Sequence, residues 1–228
     1  MDGHIWEKSY PPGVPWDLTP PDKTIPALLD EAVAQWPRHV LCDFLDKRLS
    51  YADIGDLVDR AAKGFQEIGV GKGVHVGLFL PNTPHYIVCF FAILKAGGVV
   101  VNYSPLDAEA ELRHKVEDSE TEILVTLDLN LLYPRMAGML GATGLKKLVV
   151  GSLADFLPFP KNLLFPLVRG KEIAKVPDDD RHLRFKELIA NDGRYEKPRL
   201  GPLTEELAVL QYTGGTTGVP KGAMLTHA

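Results

Sequence analysis

The run from Leu210 to Ala228, LQYTGGTTGVPKGAMLTHA, decides how the whole chain is read. AVLQY, residues 208–212, is a strand candidate that leads straight into TGGTTG. Glycines at 214, 215 and 218 let the backbone take positive φ and come close to a ligand. Thr213, Thr216 and Thr217 offer hydroxyl donors, and Lys221 offers a charge after Pro220 stiffens the exit. A strand followed by such a loop is the arrangement expected of a turn that wraps a polyphosphate. A nucleotidase P-loop would need a glycine, four residues and then Gly-Lys-Ser/Thr; the order here is Gly-Val-Pro-Lys-Gly, and no other part of the chain fits.

Upstream of the loop, short β-branched runs alternate with amphipathic helices. Ile25, Leu28, Leu29, Ala32, Val33 and Trp36 recur at helical spacing until Pro37, and VLCDFL (40–45) follows as a strand. SYADIGDLVDRAAKGFQEIG (50–69) opens on a capping-box pair, Ser50 and Asp53, and closes on Gly69. Then come the strand VHVGLFL (74–80), the apolar helix TPHYIVCFFAILKAG (83–97) and the strand GVVVN (98–102). A helix near 107–118, the strand EILVT (122–126), a helix near 129–139 and the strand KKLVV (146–150) continue the series. The pattern predicts an α/β fold, a parallel-rich sheet layered with helices. Prolines at 11, 12, 15, 20 and 21 predict an extended tail over residues 1–22, with one domain over 23–228.

Composition narrows the function. With 228 residues, 45% of them hydrophobic, the chain can bury a sizeable core, and a net charge of −5 argues against general nucleic-acid binding. Cys42 and Cys89 lie in apolar runs and read as reduced core thiols. The N-terminus lacks the apolar core of a signal peptide. Gly73 to Leu94 is free of Asp, Glu, Lys and Arg, but Pro81, Asn82 and Pro84 break it into a buried strand, a turn and a helix.

One segment departs from the alternation. ADFLPFPKNLLFPLVRGKEIAK, residues 154–175, crowds apolar residues around three prolines, and from Lys161 to Lys175 has four basic residues against one acid. It reads either as an insertion at about 154–176 that lies in a membrane interface, or as a loop packed on its own domain. His75, His85 and His114 stand in unrelated elements without metal-ligand spacing. His227 is expected to begin the helix after the strand that leaves the loop, with no direct chemical role.

LQYTGGTTGVPKG resembles the signature phosphate loop of the adenylate-forming enzymes, the superfamily of acyl-CoA synthetases, luciferases and peptide-synthetase adenylation domains. The longer run through Ala228 is similar to bacterial long-chain fatty acid–CoA ligases, as are AGGVVVNYSPLDAEAELRHKVEDS (96–119), LPNTPHY (80–86) and the tail WEKSYPPGVPWDL (6–18). The resemblance implies the first part of that superfamily's N-terminal domain. It also implies a reaction in which a carboxylate attacks the α-phosphate of Mg-ATP, releasing pyrophosphate, and coenzyme A then displaces AMP from the acyl adenylate.

Carried over to the loop at 212–222, the resemblance makes Tyr212, Thr213, Gly214, Gly215, Thr216, Thr217, Gly218 and Lys221 the residues around the ATP phosphates, with Thr216 nearest the Mg²⁺. No catalytic residue is located, because the family's adenine-stacking aromatic, acidic Mg²⁺ ligand, ribose-binding aspartate and lid have no counterpart here. The chain is therefore expected to be an N-terminal portion, inactive by itself, of a ligase for a fatty acid, or for a shorter or aryl acid. A non-catalytic fragment that binds nucleotide or a partner is the rival from another class. The expected location is the cytoplasm or the inner face of its membrane, with homodimerisation open.

Overall fold

A computed structural model describes residues 4–18, 21–213 and 220–228. The strands are β1 (Val40–Phe44), β2 (Lys47–Ser50), β3 (His75–Leu78), β4 (Val99–Asn102), β5 (Ile123–Leu127), β6 (Lys147–Gly151), β7 (His182–Arg184), β8 (Leu207–Thr213) and β9 (Lys221–Thr226). The helices are α1 (Ile25–Gln35), α2 (Tyr51–Glu67), α3 (Pro84–Ala96), α4 (Glu109–Asp118), α5 (Tyr133–Ala137), α6 (Lys161–Val168) and α7 (Phe185–Leu188). Seven strands form one sheet in the order β7-β6-β5-β3-β4-β8-β9, parallel throughout except for the antiparallel pair β8 and β9.

The sheet is covered on both faces, as its near-continuous apolar strands require. Gly77 of β3 faces the Tyr103 ring and Leu124, on the side where Tyr103 reaches Ser119 just past α4, whereas Gly151 at the end of β6 meets His85 of α3. Side chains at alternate positions thus serve opposite layers. α2 packs on α3 as a second helical row. Its start is fixed by the Ser50 and Asp53 capping box, and Ile54, Val58 and Phe65 are fully buried. Each such burial contributes about 1.5–3 kcal/mol relative to exposure. In α3, Pro84 occupies the first turn, where its missing N–H costs nothing, and Gly97 at φ +92° ends the helix in the left-handed conformation.

Two expectations need correction, and two segments show what the spacing left open. VLCDFL does not join the parallel sheet: β1 pairs antiparallel with β2 in a separate hairpin, turned by Leu45 and Asp46 at positive φ. The helix near 129–139 shrinks to α5, because Leu129 bridges to Ile173 and Asn130 N donates to the Glu172 carbonyl, holding that stretch in turns. On α1, Leu29 is buried but Leu28 and Trp36 are exposed. The 154–175 segment divides: Phe156 and Leu157 enter the interior, while Phe159 and, on α6, Leu163, Leu164, Leu167 and Val168 stay exposed. Residues 7–9 of the tail form a single 3-10 turn, and no helix among the described residues is long and apolar enough to cross a membrane.

Candidate functional site

Parallel strands end on one edge, and open α/β sheets bind ligands outside those carboxyl ends, near the point where strand order reverses. Here the reversal lies between β3 and β4, since β4 lies on one side of β3 and the next strand, β5, on the other. β8 adds beside β4 in parallel, with Val100 opposite Val209 and Asn102 opposite Gln211. The glycine and threonine loop leaves β8 at that edge.

The described ends of the loop form a hairpin mouth. β9 returns antiparallel from it, placing Lys221 opposite Thr213 and Gly222 opposite Tyr212. Thr213 and Lys221 are exposed and stand on neighbouring strands at the carboxyl edge. Gly214, Gly215, Thr216, Thr217 and Gly218, expected around a polyphosphate, lie outside the described residues.

Tyr212 points the other way. Its side chain is buried, its hydroxyl donates to Asp118 Oδ2 at 2.5 Å, and its ring carries the Lys115 ammonium 5.6 Å from its centre. A Cβ at Gly222 would come within 3.3 Å of that ring, so the cross-strand neighbour is small where Tyr212 packs. Lys115 is itself held by Asp107 at 2.8 Å and Glu111 at 2.6 Å. Burial pushes its ammonium pKa down, but these two carboxylates outweigh burial and leave it raised. Burial, then the hydrogen bond and charge of Asp118, push the Tyr212 hydroxyl well up, so it stays a donor. Beneath them Tyr103 bonds Ser119 at 2.8 Å and Thr121 at 2.6 Å, and burial pushes its pKa up to about 12. The strand that feeds the loop is thereby fastened to the end of α4.

A second polar chain runs along the edge. Asn102 Nδ2 donates to Gln211 Oε1 at 2.8 Å, and Tyr86 Oη donates to Asn102 Oδ1 at 2.9 Å, linking the ends of β4 and β8 to α3. Neither link is visible in sequence, where the three residues are separate polar positions; only the strand pairing brings them together.

The histidines are placed as follows. His85 is buried with its Nε2 3.2 Å from Asp155 Oδ2, clasped edge-on by Phe156 and Phe185. Burial raises the Asp155 pKa, but the His85 bond and the Ser152 N–H outweigh it and hold the carboxyl below its ordinary value. His227 is buried past β9, where its Nδ1 accepts the Ile25 N–H at 3.3 Å and so ties the end of β9 to the first turn of α1. Among the described residues no group of three or more His, Cys, Asp or Glu side chains could hold a metal ion. Among the described residues a concavity of about 860 Å³ is lined by Lys63, Lys72, Arg194 and Arg199 among others and lies by the start of β3, at the sheet's opposite edge. Lys63 and Lys72 are already paired with Asp192 and Glu206.

Residues 29–228 match the family described as AMP-binding enzyme. The chain belongs to that family. The long-chain fatty acid–CoA ligase of Bacillus subtilis strain 168 is 35% identical over 228 residues, which cover 97% of this chain and 40% of that protein. A relative of the same name from Escherichia coli O157:H7 is 32% identical over 98% of the chain and 40% of its own length. The chain thus spans about 40% of the length of these curated relatives. Among solved structures, the anthranilate CoA ligase AuaEII in complex with anthranoyl-AMP superposes with a TM-score of 0.73 at 18% identity, over 92% of this chain and 36% of that one. At that identity the likeness shows the AMP-binding fold alone.

Proposed function

We propose that this chain is the N-terminal, phosphate-holding part of an ATP-dependent acyl-CoA ligase whose acid is a long-chain fatty acid. The observation that carries the reading is the 35% identity along 97% of the chain to a long-chain fatty acid–CoA ligase. The site's geometry supports it: the hairpin opens at the carboxyl edge beside the strand-order reversal, where the loop's glycines and threonines would meet a charged phosphate chain.

In this reading Gly214, Gly215, Thr216, Thr217 and Gly218 wrap the β- and γ-phosphates, and Thr213 and Lys221 close the mouth. Thr216 is the residue assigned to reach the Mg²⁺ that accompanies ATP. Bound there, ATP supplies the α-phosphorus that a carboxylate attacks, and coenzyme A later takes the acyl group. The chain's own contribution is positioning and electrostatic stabilisation, for which a loop must be held firmly. Tyr212 serves by anchoring β8 on Asp118 and Lys115, with its hydroxyl turned away from the phosphates.

The remainder of the relatives' length would carry the rest of the machinery, so the chain by itself is expected to bind nucleotide without making acyl-CoA. Purified chain mixed with fatty acid, Mg-ATP and coenzyme A should release no AMP above background. Robust fatty acid-dependent AMP release by this chain would overturn that. A ligase for shorter or aryl acids is the alternative, supported by the fold shared with the anthranilate enzyme. Pyrophosphate exchange with a panel of acids, on the chain continued to its relatives' length, separates the two by which acid drives exchange.

A further inference from the structure

The connection from β6 to β7 turns apolar side chains outward. Phe156 and Leu157 go into the interior and fasten the segment, but Phe159 is 80% exposed and no residue of α6 is buried. On α6 the exposed Leu163, Leu164, Leu167 and Val168 fall on one side, at i, i+1, i+4 and i+5, while Phe165 is half-buried on the other. The helix therefore rests on Phe165 and presents a leucine face to solvent.

Two distant segments extend this face. Asp46 pairs with Lys161 at 2.6 Å, which sets the β1–β2 turn beside the start of α6. Leu45 at that turn is exposed and held at φ +50°, an unusual conformation for a leucine. Beyond the helix, Asn130 donates from its backbone to the Glu172 carbonyl and from its side chain to the Lys171 carbonyl, both at 2.8 Å. Its neighbour Leu131 is 82% exposed. Around the apolar side chains stand Lys161, Arg169, Lys171 and Lys175, against which Asp46 and Glu172 leave a surplus of positive charge.

We propose that this patch docks the chain on an anionic lipid bilayer, the leucine face of α6 lying in the interfacial zone and Arg169, Lys171 and Lys175 at the headgroup phosphates. Apolar side chains flanked by lysines suit a lipid interface, whereas the centres of protein interfaces are depleted of lysine. An eight-residue helix, roughly 12 Å long, is also small for a stable protein interface. The patch follows the carboxyl end of β6, so it shares the sheet edge with the glycine hairpin after β8. Four strand spacings separate β6 from β8, roughly 19 Å at the level of the strands. Docking on this edge would turn the proposed phosphate site towards the bilayer. The inference stands on the surface alone, so its failure would leave the ligase reading untouched.

The test is sedimentation of the full 228-residue chain with vesicles of phosphatidylcholine mixed with phosphatidylglycerol, and with phosphatidylcholine alone. The chain should partition to the anionic vesicles more strongly than to the neutral ones, and high salt should reduce the difference. The double change Leu163→Ser/Leu167→Ser should weaken partition about tenfold or more. Lys171→Glu/Lys175→Glu should abolish the preference for anionic vesicles. Met224→Ser, which removes an exposed apolar side chain on β9, should change neither. Circular dichroism checks that every variant is folded. A wild-type chain that stays in the supernatant, or partition indifferent to both double changes, overturns the proposal. So does a concentration-dependent dimer lost in Leu163→Ser/Leu167→Ser without vesicle binding, which would assign the face to a second copy of the chain.

Discussion

Tyr212 Oη donates to Asp118 Oδ2 at 2.5 Å, joining the last buried residue of β8 to the end of α4 across 94 positions of sequence. The residue after Tyr212 is Thr213, the first of the loop. Tyr212→Phe and Asp118→Asn should each cost about 1 kcal/mol, the scale of a charge-assisted hydrogen bond whose acceptor stays partly hydrated. Measured as urea midpoints in a double-mutant cycle, the two losses should not add. Strict additivity would mean that the bond does not form.

Lys115 is the buried cation of the same cluster. Lys115→Met leaves Asp107 largely buried without its partner, while Glu111 can turn towards water. The expected loss is about 2 kcal/mol, below the 3–5 of a fully buried broken pair. Thermal unfolding checks it, and Lys115→Arg should recover part of the loss. A Met variant as stable as the wild type would show that the ammonium does not hold β8 to α4.

Acid should loosen the end of β9. Burial holds the His227 pKa below its ordinary value against the opposing charge of Glu206, and the neutral ring accepts the Ile25 N–H. A depressed pKa means that the unfolded chain binds the proton more readily, so this contribution is fully present above about 6.5 and is lost as pH falls through the lower folded value. Hydrogen exchange at the Ile25 amide should accelerate relative to the α2 interior as pH falls from about 6.5 through the lower folded value, after correction for intrinsic rates. His227→Asn should flatten that dependence. Equal pH profiles in both chains would remove His227 as the cause.

Two glycines should respond oppositely to alanine. A Cβ on Gly64 would sit 2.0 Å from the Leu188 carbonyl oxygen, so α2 and α7 must part, at a cost of about 2 kcal/mol or more. Gly144 has nothing within 4 Å of its Cβ position, and alanine there should be neutral or stabilising by about 0.5 kcal/mol. Denaturant midpoints of the two variants decide it; similar values would mean that the α2–α7 approach is not tight.

What the sequence disclosed divides by the range of the interactions. The capping box of α2, the proline-opened α3 and the strands around Val76, Val100 and Val125 follow from local spacing, and all stand where the periodicity puts them. Lys47–Ser50 carries too short a pattern to announce a strand, so the sequence shows VLCDFL only as one more strand of the alternation and not its antiparallel β1–β2 hairpin. The loop at 212–222 announced itself through its glycines, threonines and lysine, on which the phosphate proposal rests. Its supports did not: Asp118, Lys115 and Asn102 reach β8 only through strand order and helix packing, which no single-sequence period encodes. The 154–175 segment combined both behaviours, because Phe156 and Phe159 look alike in sequence and differ only in which side of the chain the fold covers.

The central claim is that the loop after Tyr212 holds the phosphates of ATP. Equilibrium dialysis of Mg-ATP against the purified chain, wild type beside Thr216→Ala, tests it most directly. Saturable binding that weakens about ten- to a hundredfold in Thr216→Ala, and that inorganic tripolyphosphate displaces, is the expected result. Binding of equal strength in both chains, or binding that tripolyphosphate leaves untouched, would contradict it.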